Sequence, residues 1–107
     1  MRRVTIESES GAELASGVEP EDVFQLEGNW YFDPARVNSA ALAVTERTYT
    51  CPYKGTCHWV EYVGPGGSAR DVAWVYGDPK PGYEKIRGRF GFYPARRAAT
   101  VARVGHA

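Results

Sequence analysis

Cys57-His58-Trp59-Val60-Glu61-Tyr62-Val63 is the stretch on which the fold is decided. β-branched and aromatic residues fill it, and a two-residue alternation puts Cys57, Trp59, Glu61 and Val63 on one face and His58, Val60 and Tyr62 on the other. Such a run reads as a strand. Gly64-Pro65-Gly66-Gly67-Ser68 follows as a mobile hairpin connection. Val72 to Tyr76 is the next strand, with Val72, Trp74 and Tyr76 on one face.

The same pattern of short strands and turn residues extends both ways. Upstream, Val4 and Ile6 alternate with polar residues, Glu9-Ser10-Gly11 reads as a turn, and Leu14-Ala15-Ser16-Gly17-Val18 completes a hairpin. Val23 to Phe32 is a third extended piece, interrupted at Glu27-Gly28-Asn29. Asp33-Pro34-Ala35-Arg36-Val37 predicts a single helical turn, with Asp33 as cap and Pro34 in the first helical position. Asn38 to Thr50 is ambiguous: its alanines favour helix and its Val44–Thr50 half favours strand. Downstream, Gly77 to Gly82 breaks the chain, a helical turn falls near Tyr83–Ile86, and Arg87 to Tyr93 turns Phe90 and Phe92 inward before Pro94. The prediction is an all-β, mainly antiparallel fold with one or two short helical turns. Residues 1–94 form its single domain, and residues 95–107 form a basic C-terminal tail.

At 107 residues, 43% of them hydrophobic, the chain has room for one core without disulfides or metal. It holds no apolar run long enough to span a bilayer, and polar residues follow the basic start where a signal peptide would be apolar. A cytoplasmic location is expected, with no membrane partner. A formal net charge of zero argues against specific nucleic-acid binding. The charge is uneven, acidic in the first third and basic around Arg96, Arg97 and Arg103. That tail is read as packing on the acidic face, with a phosphate-binding arm as the alternative. Cys51 and Cys57 make no disulfide framework and meet only if the turn between them folds back.

Cys51-Pro52-Tyr53-Lys54-Gly55 is the segment most able to carry chemistry. Pro52 and Gly55 predict a sharp reversal, and a cationic Lys54 beside Cys51 would favour the thiolate. Tyr53 would donate a hydrogen bond or stack. Two readings stay open: Cys51, Tyr53 and Lys54 form a catalytic cluster, or Cys51 is a small buried hydrophobe beside a stable turn. The aromatics present the same choice between core and the wall of a pocket for a flat ligand. The ligand-binding set is Trp30, Lys54, Trp59, Trp74 and Tyr76. Zinc would need four ligands at recognisable spacing; no such set, metal site or cofactor motif is read here.

Asn29-Trp30-Tyr31-Phe32, Cys51-Pro52-Tyr53-Lys54-Gly55, Ala73-Trp74-Val75-Tyr76 and Phe90-Gly91-Phe92-Tyr93-Pro94, in that order, resemble the bacterial DUF427 family. The resemblance covers Val4 to Pro94. It implies a β-tent fold, with sheets leaning together over a cleft, and a site including Cys51, Tyr53 and Lys54. The family has also carried a nucleotidyltransferase label, but no acidic metal-binding pair follows a Gly-Ser here. Cys57 stands where the family pattern implies a small residue such as alanine.

Three functions follow as expectations. The first is a cleft binding a small planar or anionic, nucleotide-like molecule, with Lys54 meeting the anionic group. The second is an enzyme with Cys51 as nucleophile or acid/base group, assisted by Tyr53 or Lys54. The third is an interaction module using a sheet edge, including a homodimer.

Overall fold

A strand with apolar residues on both faces needs a core on both faces, and this chain builds two. The computed structural model describes residues 1–64 and 66–107. Along them run β1 (Arg2–Ser8), β2 (Glu13–Val18), β3 (Val23–Leu26), β4 (Asn29–Phe32), β5 (Leu42–Cys51), β6 (Gly55–Gly64), β7 (Gly67–Val75), β8 (Phe90–Phe92) and β9 (Thr100–His106). Three form a sheet in the order β2-β1-β9 and six form a curled sheet in the order β3-β4-β8-β7-β6-β5, every ladder antiparallel. Single 3-10 turns occupy Pro34–Arg36 and Glu84–Ile86, and no α-helix forms among the described residues. The predicted all-β antiparallel class with two helical turns is the observed one.

The larger core lies between the sheets. Val4 and Ile6 of β1 and Leu14 and Ala15 of β2 meet Trp30, Phe32, Val60, Tyr62 and Phe92 of the six-stranded sheet. Phe32 and Phe92 stand edge to face, 5.7 Å apart, and burial of each such side chain contributes on the order of 2–3 kcal/mol. A smaller core on the opposite face gathers Tyr31, Cys57, Trp74, Tyr76 and Ile86. β4 shows the division: Trp30 and Phe32 enter the first core, and Tyr31 between them enters the second. On β6 the two predicted faces likewise part, Val60 and Tyr62 to the first core and Cys57 and Trp59 to the second.

Three differences from the sequence reading have local causes. The ambiguous segment resolves as the strand β5, because its backbone finds a partner along β6 that a helix would forgo. Val72 does not share a face with Trp74 and Tyr76. It sits where the β6–β7 register slips, beside Asp71 at φ 58, and turns into the first core. The segment read as a tail is the strand β9, in register with all of β1, and Arg103 donates to Glu7 across the pair at 2.9 Å. Of the predicted connection Gly64–Ser68, Pro65 lies outside the described residues, and Gly64 pairs with Gly67.

Candidate functional site

β5 and β6 form a hairpin in which Tyr49 faces Cys57 and Cys51 faces Gly55, leaving Pro52-Tyr53-Lys54 as the turn. Gly55 adopts φ 111, a conformation closed to most side chains, which is why glycine follows Lys54. Lys80 straps the turn: its N–H donates to the Lys54 carbonyl at 2.8 Å and its Nζ to the Pro52 carbonyl at 3.0 Å. The reversal is therefore held at both ends.

Within this frame Lys54 folds inward, its side chain only 14% exposed. Nζ lies 2.6 Å from Glu27 Oε1 and 4.0 Å from Cys51 Sγ. The Tyr83 hydroxyl donates to the other Glu27 oxygen at 2.7 Å, and Lys54 Nζ stands 5.7 Å from the Tyr83 ring centroid. Glu27 and Gly28 join β3 to β4 with φ 51 and 86, the mirror-image hairpin turn that usually takes Asn or Gly at its first position. A glutamate held there in left-handed backbone is a local cost offset by its contacts with Lys54 and Tyr83.

These contacts set the protonation states. Burial by itself would raise the Cys51 thiol. The backbone N–H groups of Lys54 and Tyr53, joined by the ammonium, outweigh it and hold the thiol below its ordinary value. Hydrogen bonds from Lys54 and then Tyr83 hold the Glu27 carboxyl low. Burial opposes the Lys54 charge, but Glu27 and Cys51 raise its pKa above the usual lysine value. Cys57 behaves oppositely to Cys51: burial pushes its thiol up, the Tyr76 hydroxyl only partly opposing.

The turn opens onto a cleft of about 370 Å³. Aromatic rings wall it, with Trp59 and Trp74 edge to face at 6.3 Å and Trp74 against Tyr93 at 4.9 Å. Trp74 Nε1 donates to the Tyr31 hydroxyl at 3.2 Å, fixing both rings. Cys57 and Tyr76, both buried, also line it, and Cys51 and Lys54 contribute from the turn. At its rim the Arg97 guanidinium lies 4.6 Å over the Tyr93 ring. No group of three or more His, Cys, Asp or Glu among the described residues is arranged to hold a metal ion.

A family model described as a domain of unknown function, DUF427, matches residues 2–103. The chain belongs to the DUF427 family. No curated protein matches it significantly. The segments that carried the resemblance occupy the successive strands β4, β8 and β7 and the β5–β6 turn, and each sends at least one side chain into the cleft.

Of the residues the sequence singled out, the DUF427 fold brings Cys51, Lys54, Trp59, Trp74 and Tyr76 to one cleft. Trp30 is placed elsewhere. Alternation along β4 turns it into the core between the sheets, where its indole nitrogen has no partner and the Arg2 guanidinium lies 5.7 Å from its ring. Tyr53 is 73% exposed and does not line the cleft; its backbone N–H, not its ring, serves Cys51. The site or its support also takes in Tyr31, Cys57, Tyr93 and Arg97, which the sequence did not place in the ligand-binding set, and Glu27, Tyr49 and Tyr83, to which it gave no role. Glu27 left a signal, since a glutamate preceding glycine at a hairpin turn is unusual. Arg97 left only its place in a basic segment, because the course of the chain after Pro94 is what returns it to Tyr93.

Proposed function

We propose that this DUF427 domain binds a small flat molecule bearing an anionic substituent, with the ring among the aromatic walls and the charge at Arg97. The observation that carries this reading is the pairing of ring faces with one guanidinium that has no ion-pair partner among the described residues. A guanidinium already lying on an aromatic ring is pre-oriented and can bind a carboxylate or phosphate through two N–H groups. Lys54 is already paired with Glu27, so Arg97 rather than Lys54 is proposed to meet the anionic group. A volume of about 370 Å³ suits a ring system of mononucleotide scale or smaller.

The test pairs nucleoside monophosphates and aromatic carboxylates with their uncharged parents in a thermal-shift panel. A ligand present at about 100 times its Kd stabilises the folded state by about 2.7 kcal/mol, which in a domain of this size is a rise of about 10 °C. Trp59 and Trp74 fluorescence should be quenched, with the quench lost in W59F/W74F, while Trp30 reports no change. Arg97→Ala should abolish the preference for charged over uncharged ligands. If no compound shifts the transition at millimolar concentration, the cleft is not such a site.

A further inference from the structure

We propose that Cys51 and Cys57 form a two-thiol couple that reduces hydroperoxides, Cys51 attacking the peroxide and Cys57 resolving the oxidised sulfur. The two sulfurs face the same open cleft from adjacent strands, and Cys51 packs against the cluster that contains Cys57. Their settings are complementary. Cys51 Sγ is met by two backbone N–H groups and an ammonium, all of which favour a thiolate. Cys57 is buried and kept as the neutral thiol. Glu27 holds the Lys54 ammonium beside the sulfur, and the Lys80 strap holds the Lys54 backbone.

The chemistry closes. The Cys51 thiolate attacks the terminal oxygen of R–O–O–H and the O–O bond breaks. The sulfur becomes a sulfenic acid, Cys51–S–OH, and R–O⁻ leaves and takes a proton as R–OH. Lys54, within 4.0 Å of the sulfur, is placed to stabilise negative charge on the departing oxygen. The Cys57 thiol then attacks Cys51 sulfur, forming the S–S bond and releasing the hydroxyl, with the thiol's proton, as water. Two thiols have supplied two electrons. An external dithiol reduces the disulfide and returns the couple to its starting state.

The register makes the second step reachable. Gly55 faces Cys51, so Cys57 is its diagonal neighbour two residues on. Diagonal positions lie about 7–8 Å apart and a disulfide spans Cα separations up to about 6.8 Å, so about 1 Å of approach is required. Twist at the end of the β5–β6 ladder can supply that without moving the strapped turn, and no side chain on Gly55 stands in the way.

The experiment treats the full-length reduced protein with one equivalent of hydrogen peroxide or cumene hydroperoxide. Expected are loss of both thiols, an internal disulfide between the peptides bearing Cys51 and Cys57, and recovery with dithiothreitol. Cys57→Ala should stop at a sulfenic acid that dimedone traps on Cys51, and Cys51→Ser should consume peroxide no faster than a free thiol. Lys54→Met should slow consumption severalfold while its urea transition shows it folded. If Cys51→Ser reacts as fast as the parent, Cys51 is not the nucleophile. If Cys51 oxidises but Cys57 stays a free thiol in the parent protein, the couple does not exist. Neither result depends on whether a planar ligand binds, and a failed ligand panel leaves the thiol chemistry intact.

Discussion

Replacing Glu27 by glutamine should make the protein less stable and its Cys51 more reactive, two effects of opposite sign from one lost charge. The turn geometry survives the change, since glutamine keeps the length of the side chain and the same left-handed backbone at φ 51. What is lost is the ion pair to Lys54, in which Glu27 is half exposed; exposed pairs of this kind are worth about 0.2–1 kcal/mol, or about 1–6 °C in a domain of this size. At the sulfur the carboxylate opposes ionisation. Lys54 Nζ contacts both, 2.6 Å from the carboxylate and 4.0 Å from Sγ. The carboxylate oxygen is therefore no more than about 6.6 Å from the sulfur, and a unit charge at that distance is worth about 0.6 kcal/mol in a water-like dielectric and about 2.5 kcal/mol at stronger surface coupling. The half-exposed carboxylate takes the lower figure, about a threefold gain in thiolate. Urea melts and mass-resolved iodoacetamide alkylation near neutral pH read the two effects. The stability difference should depend on pH with a defined sign. The folded Glu27 pKa is depressed, so its contribution is full above the unfolded glutamate value of about 4.3 and vanishes as pH falls through the lower folded value. An unchanged or slower alkylation in Glu27→Gln, or equal stabilities at pH 7, would refute this account of the site.

Other substitutions test the frame around the site. Gly91→Ala should cost about 1–3 kcal/mol by urea titration and shift Trp74 emission, because a Cβ there would collide with the Trp74 indole across the β7–β8 pair. Tyr53→Ala should stay within about 0.5 kcal/mol of the parent and leave Cys51 alkylation unaltered, since the exposed ring touches neither the cleft nor the sulfur. Truncation after Pro94 should abolish the cooperative thermal transition seen by circular dichroism. It removes β9 from the whole length of β1 and takes away the buried Thr100.

The fold class was legible because alternation is a local property. Val4 and Ile6, the β6 run and the Glu27-Gly28 break each announce a strand or a turn from a few neighbouring residues, and the structure has them there. The turn at Cys51–Gly55 was legible too, because proline and glycine restrict their own backbones. Which face of a strand meets which core was not. Trp30 and Tyr31 are adjacent and equally aromatic, and only the three-stranded sheet covering one side of β4 decides that Trp30 is core and Tyr31 belongs with the cleft.

By itself, then, the sequence determined an all-β antiparallel chain and a reversed turn presenting a thiol beside a lysine. The tertiary structure alone decided what that lysine does. Glu27 and Tyr83 are 27 and 29 residues from Lys54 along the chain, and they reach it because β3–β4 and the segment after β7 fold against the β5–β6 turn. The same long-range pairing returns Arg97 to the rim and makes a strand of the terminal segment. Contacts between distant segments depend on how sheets stack and curl, and no local pattern of residues encodes that.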